Sequence, residues 1–130
     1  MPKLSPTLKP TVVVIDDDLS VRRALRMLLR LAGFNVRVFG SAEGLLVSKV
    51  PTANTCLLLD LYMPGMKGLE LYKLLANAGR QMPTVLMSGR DDEETKKLAR
   101  GTTDATVLFK PFDQSALLRA IWRALQHSLT

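Results

Sequence analysis

One cysteine in 130 residues, Cys56, excludes any disulfide within the chain, and with it a secreted disulfide scaffold. Set inside an apolar run, it reads as a small core hydrophobe rather than a reactive thiol. The single histidine, His127, has no second histidine to work with and reads as solvated. No apolar run approaches the ~18 residues of a membrane span. The opening MPKLSPTLKP carries lysines and three prolines but no continuous apolar segment. These absences describe a soluble, cytoplasmic protein with no membrane partner. A second folded domain has no room, because 130 residues with 47% apolar content make one ordinary domain. No internal repeat or low-complexity tract is present. Residues 1–10 read as a flexible, proline-spaced arm and 11–128 as the domain.

The formal net charge of +6 raises the possibility of a nucleic-acid-binding module. In DLSVRRALRMLLRLAG, at about 100° per residue, Arg22, Arg23, Arg26 and Arg30 fall within one arc. Val21, Leu25, Leu28 and Ala32 form the opposite stripe. That is an amphipathic helix with a basic outer face, which suits solvent first, an acidic protein partner second and nucleic acid third. Aromatic residues do not interleave with the arginines, and neither helix-turn-helix nor zinc-finger spacing occurs.

Apolar runs alternate with helical patterns along the whole chain. Residues 11–16, 36–39, 54–60, 83–88 and 106–110 are short apolar or β-branched runs that read as strands. Helical patterns occupy 19–32, about 41–49 opened by Ser41, about 67–78, about 91–100, and 113–127 opened by Asp113. In the last of these, Leu117, Leu118, Ile121, Ala124 and Leu125 share one face. The strands at 12–15 and 56–59 are apolar at every position, as expected where helices cover both faces of a parallel sheet. Five βα units predict an α/β doubly wound three-layer sandwich.

In such a sheet the functional crevice lies beyond the carboxyl ends of the strands. The first strand runs into Asp16, Asp17 and Asp18, the third into Asp60, the fourth into Ser88 and Gly89, and the fifth into Lys110. Any one of these aspartates could be a turn former. Together they form a chemistry. Clustered carboxylates raise one another's pKa unless a hard divalent cation sits among them, and Mg²⁺ suits oxygen ligands. A carboxylate can attack phosphorus to form an acyl phosphate. The Lys110 ammonium and the Ser88 hydroxyl would then support the phosphoryl oxygens. Pro64, Gly65 and Gly68 suit a sharply turning loop beside that group.

The motifs VVVIDDDLSVR, LLLDLYMPGMKG, VLMSG and LFKPF stand in one order along residues 11 to about 127. In this the chain resembles the receiver domain of two-component response regulators, close to the subgroup joined to a helix-turn-helix transcription output. The resemblance implies a flavodoxin-like (βα)₅ fold with a five-stranded parallel sheet in the order 2-1-3-4-5, and it makes 11–128 the receiver domain. It implies that Asp60 accepts the phosphoryl group, assisted by Lys110 and Ser88. Mg²⁺ would be held by Asp17 directly, by Asp16 mainly through water, by Asp60 and by the main-chain carbonyl of Tyr62. Arg22 matches the arginine that follows the acidic pair, and the Lys110–Pro111 peptide would be cis. The implied partners are a sensor histidine kinase or phosphotransfer protein, an output partner or DNA-binding domain, and a second copy in a homodimer. Apart from its own phosphorylation and dephosphorylation the domain would catalyse nothing.

Two positions depart from the family pattern. Val107 occupies the place of the Tyr or Phe that changes rotamer on phosphorylation, and ARGTTDAT lacks the usual Gly-Ala-Asp, so a fourth helix could end at Gly101. Tyr62 and Arg90, two residues beyond Asp60 and Ser88, are bulky where the family tunes hydrolysis, which favours a long-lived phosphorylated state. Asp91, Asp92, Glu93 and Glu94 read as a helix N-terminus. Trp122 reads as the edge of the core and Phe109 as packing. Three rival functions are a phosphatase of the haloacid dehalogenase type, a nucleic-acid-binding module and a phosphate-independent docking module. The first needs an acid two residues beyond the nucleophile, where Tyr62 stands.

Overall fold

The computed structural model describes residues 9–89, 93, 96, 97 and 106–128, with the side chains of 127 and 128 excepted. Five parallel strands, β1 (Thr11–Ile15), β2 (Asn35–Phe39), β3 (Thr55–Asp60), β4 (Thr84–Ser88) and β5 (Thr106–Phe109), pair in the order β2-β1-β3-β4-β5. Helices α1 (Leu19–Leu31), α2 (Ala42–Leu46) and α3 (Gly68–Asn77) and a C-terminal helix (Gln114–Ser128) cover the sheet. The alternating pattern predicts this doubly wound architecture, and the strand order is the one the resemblance implied. Of the helix read at 91–100, residues 93, 96 and 97 are described and are helical. Arg90, Asp91, Asp92, Glu94 and Gly101 lie outside the described residues.

The apolar runs explain the three layers. β3 is buried at all six positions, and successive side chains leave it on opposite faces. Val12, Val14, Cys56, Leu58, Val85 and Met87 meet Leu25 and Leu29 of α1 and Leu117, Ile121 and Leu125 of the C-terminal helix. Val13, Ile15, Leu57, Leu59 and Leu86 meet Leu45 of α2 and Leu71 and Leu75 of α3. The edge strands β2 and β5 are less buried. Burial pushes the Cys56 thiol up to about 12, so it stays protonated and serves as packing.

Helix ends follow local chemistry. Gly33 and Gly79 adopt φ of 99° and 70°, and each closes its helix as Phe34 and Arg80 donate back to Leu29 and Leu75 carbonyls. Asp113 Oδ1 accepts from Ala116 N–H and Ser41 Oγ from Gly44 N–H, as their positions suggest. Asp18 performs the same office for α1, accepting from Ser20 and Val21 N–H at 2.8 and 3.2 Å. Its place immediately before an apolar-periodic run was the available signal. Asp18→Ala is expected to cost about 1 kcal/mol of stability, read by urea unfolding.

Three details of the sequence reading need correction. α2 ends at Leu46 rather than near residue 49. Arg80 donates to the Leu46 and Ser48 carbonyls at 3.3 Å each, capping the short helix, and Pro51 disfavours helical geometry at the residue before it. The buried stripe of α1 centres on Leu25 and Leu29, while Ala32 is exposed at the helix end. Arg22 leaves the basic outer face: half-buried, its Nη1 donates to the Asp16 carbonyl at 2.7 Å. Arg23, Arg26 and Arg30 remain exposed. Trp122 packs its ring 5.0 Å from buried Phe34, at the core edge. Neither α1 nor the C-terminal helix contains an acid, and their six arginines equal the whole net charge. The functional crevice lies elsewhere, at the strand ends.

Candidate functional site

Register brings the polar residues together. Ile15 pairs with Leu59, so Asp16 and Asp60 emerge side by side from the two central strands. Ser88 pairs with Phe109, which sets Lys110 one residue past the end of β5. Lys110 N–H donates to the Ser88 carbonyl at 2.7 Å, and the Lys110–Pro111 peptide is cis, as the resemblance implied. The side chain of Lys110 reaches back over the sheet end. Its Nζ lies 2.8 Å from Asp16 Oδ2 and 3.6 Å from Asp60 Oδ2.

Carboxylate oxygens of Asp16, Asp17 and Asp60 all lie within 4.8 Å of one another. Their surroundings differ. Asp16 is fully buried, with Oδ1 accepting from Asp18 N–H at 3.0 Å and Oδ2 from Lys110. Asp17 is exposed. Asp60 is 6% exposed and Oδ1 accepts from Tyr62 N–H at 3.1 Å. Ser88 is fully buried, and Tyr62 packs against the α2–α3 side of the core. Val107 also packs there, half-buried, so the position lacking the family's aromatic ring belongs to the core. Arg90, the intended companion of Tyr62, lies outside the described residues.

Burial pushes the Asp60 carboxyl above its ordinary range; the Tyr62 N–H and Lys110 charge pull it back, and the Asp16 and Asp17 charges push it up again. Burial also works against the Lys110 ammonium, but its hydrogen bond to Asp16 and the charges of Asp60 and Asp16 outweigh that and hold it above the usual lysine value. A raised carboxyl pKa means that the fold favours the protonated acid. Its ionisation therefore costs stability progressively as pH rises from 3.8 through the folded-state value. In metal-free protein, Asp60→Asn is expected to raise the urea midpoint near neutral pH, and the advantage should shrink as pH falls toward ~4. A midpoint unaffected by the substitution at both pH values would contradict this electrostatic account.

The donor set suits a hard cation. Three carboxylates supply only oxygen, two are buried and one faces solvent, so a small divalent ion could sit among them and keep several waters. Lys110 neutralises part of the cluster but stands bonded to Asp16. The exposed carboxylate of Asp17 is the one most open to an arriving ion.

Fold and site together define a doubly wound α/β domain with an acidic, lysine-bearing crevice at its strand carboxyl ends. Residues 12–122 match the response regulator receiver domain. The chain is 36% identical over 118 residues to nodulation protein W of Bradyrhizobium diazoefficiens, covering 91% of this chain and 52% of that protein. It is 38% identical over 117 residues to the transcriptional regulatory protein FixJ of Azorhizobium caulinodans, covering 90% and 56% respectively. Among solved structures, FixJ-N superposes with a TM-score of 0.83 at 32% identity, over 92% of this chain and 96% of that one. Response regulator StyR superposes with a TM-score of 0.79 at 42% identity, over 92% and 61%. The chain belongs to the response regulator receiver domain family of two-component systems. It spans about half the length of the curated relatives it matches.

The expectation of no membrane partner meets one structural fact. Among the described residues, no helix is long and apolar enough to cross a membrane.

Proposed function

We propose that this chain accepts a phosphoryl group on Asp60 from the phosphohistidine of a sensor kinase or phosphotransfer protein, and through that change switches an output. The observation that carries the reading is the meeting of Asp16, Asp17 and Asp60 oxygens within 4.8 Å, with Lys110 Nζ beside two of them. A buried strand end presents Asp60 with its carboxylate held by the Tyr62 amide. One Asp60 oxygen attacks phosphorus as the bond to the donor nitrogen breaks, and that nitrogen leaves with the electron pair. Lys110 offsets the charge gathered on the phosphoryl oxygens, and Ser88 and loop amides supply hydrogen bonds.

Mg²⁺ is the cation proposed for the cluster. Asp17 would bind it directly, Asp16 mainly through water, and Asp60 and the Tyr62 main-chain carbonyl would complete the protein's share. Its chemistry would be to neutralise phosphoryl charge opposite Lys110. Outside its own phosphorylation and dephosphorylation the domain has no proposed catalytic activity. A cytoplasmic setting and a transcriptional output fit the relatives' character as regulators, and homodimerisation on phosphorylation remains part of the proposal.

The test is intact mass after incubation with acetyl phosphate, with and without Mg²⁺. A gain of one phosphoryl group that requires the metal supports the reading. No gain in either condition sinks it in favour of a phosphate-independent docking module.

A further inference from the structure

Gly68 opens α3 and is buried, yet its backbone does not lie in the left-handed region where glycine is favoured. It is glycine for want of space. A Cβ there would overlap the Asp60 carbonyl oxygen and stand 3.0 Å from Leu61 Cα and 3.1 Å from the Asp60 carbonyl carbon. All three atoms are main chain, so relief needs a shift of backbone rather than the turn of a side chain. Gly68 N–H donates to the Leu61 carbonyl at 3.2 Å, and Leu61 N–H donates across to Met87 at 2.9 Å. The Asp60–Leu61 peptide is therefore tied to β4 through its N–H, the next peptide is tied to the first turn of α3 through the Leu61 carbonyl, and Gly68 lies directly against the Asp60 carbonyl.

We propose that Gly68 is a positioning residue for phosphoryl acceptance: lacking a side chain, it lets α3 lie directly on the Asp60–Leu61 peptide and thereby sets where the Asp60 carboxylate stands relative to Asp17 and Lys110. The inference rests on Asp60 being the acceptor. A methyl at 68 can be accommodated in two ways. Either α3 retreats, drawing Leu71 and Leu75 from the core, or the peptide rotates and carries the carboxylate with it. The peptide is tied to β4 by the Leu61 N–H bond to the Met87 carbonyl, about which it can turn, whereas α3 is anchored by the fully or nearly fully buried Leu71 and Leu75, so the peptide yields. A displacement of ~1 Å at a reacting group can cost about 100-fold in rate.

The experiment compares wild type, Gly68→Ala and Gly44→Ala at a temperature where circular dichroism shows each to be folded. Gly44 lies in α2, where a Cβ meets ordinary contacts at 3.4 and 3.5 Å, so it controls for an added helix methyl. Two quantities are read: the rate of phosphoryl gain from acetyl phosphate at saturating Mg²⁺, and the Mg²⁺ dissociation constant by calorimetry. Gly68→Ala is expected to lose roughly 10- to 100-fold in rate and to bind Mg²⁺ several-fold more weakly, with Gly44→Ala unchanged. A Gly68→Ala protein that melts earlier yet matches wild type in both quantities while folded would overturn the proposal, leaving a purely structural glycine. Should Gly68→Ala not fold, the wild-type amide spectrum decides. The Gly68 resonance must shift with Mg²⁺ along the same isotherm as Leu61, and a silent Gly68 beside a responding Leu61 overturns the coupling. A wild type that takes no phosphoryl group, or an Asp60→Asn variant that takes one, rejects the acceptor reading instead.

Discussion

Lys110→Ala is expected to slow phosphoryl gain by about 100-fold or more while leaving Mg²⁺ binding intact or tighter. The rate effect follows from removing a preorganised positive charge aimed where phosphoryl charge gathers, a loss of the kind worth ~10²–10³ at other anion-stabilising sites. The binding effect has the opposite sign because Lys110 Nζ already occupies Asp16 Oδ2 at 2.8 Å and sits 3.6 Å from Asp60 Oδ2, in competition with a cation. Removing it leaves the buried Asp16 with its Asp18 amide bond and an unneutralised charge. Metal-free Lys110→Ala should therefore also be less stable than wild type, with Mg²⁺ recovering part of the loss. Calorimetry, urea unfolding with and without Mg²⁺, and phosphorylation rates separate these effects. A rate equal to wild type would remove Lys110 from the chemistry.

Asp17→Asn is expected to weaken Mg²⁺ binding on the order of 10- to 100-fold, since the net charge of the oxygen ligands sets affinity for a hard cation. The rate of phosphoryl gain should fall at limiting Mg²⁺ and recover substantially at saturation. This split distinguishes a metal-holding residue from one that acts on the reacting group. Asp17 should show it more cleanly than Asp16. Asp17 is exposed, whereas Asp16 also anchors the start of α1 through the Asp18 amide and holds Lys110, so its loss mixes binding with structure. An unchanged Mg²⁺ titration in Asp17→Asn would place that carboxylate outside the metal's ligands.

Much of the fold was legible because the central strands are buried on both faces. TVVVI, TCLLLD and TVLMS are largely apolar and buried at nearly every position, as strands covered on both faces must be. The functional residues were legible for a related reason. Four of the five strand ends turn abruptly polar, and parallel pairing forces those ends to one edge, so Asp16, Asp60 and Lys110 converge without any appeal to loops. Helix starts at Ser41 and Asp113 were written in their side chains.

What was not legible depends on partners distant in sequence. Periodicity put Arg22 with the other arginines of α1, but the free carbonyl of Asp16 after β1 draws its guanidinium inward. Only the assembled β1–α1 corner creates that acceptor. The early end of α2 depends on Arg80, thirty-four residues from the Leu46 carbonyl it caps. Gly68 looked like a turn residue because the sequence carries no sign that the Asp60 carbonyl lies against it. In each case a charge or a missing side chain answers a main-chain group from another element, and no local pattern encodes that meeting.

The central claim concerns one atom pair, a new bond between an Asp60 carboxylate oxygen and phosphorus. An acyl phosphate, unlike a free carboxylate, is reduced by borohydride to the alcohol, so treating phosphorylated protein with borohydride and sequencing its peptides by mass spectrometry locates the acceptor. The account predicts reduction at residue 60 alone, only after incubation with phosphodonor and Mg²⁺, and none in Asp60→Asn. Reduction at Asp16 or Asp17, or an undiminished phosphoryl gain in Asp60→Asn, would contradict it.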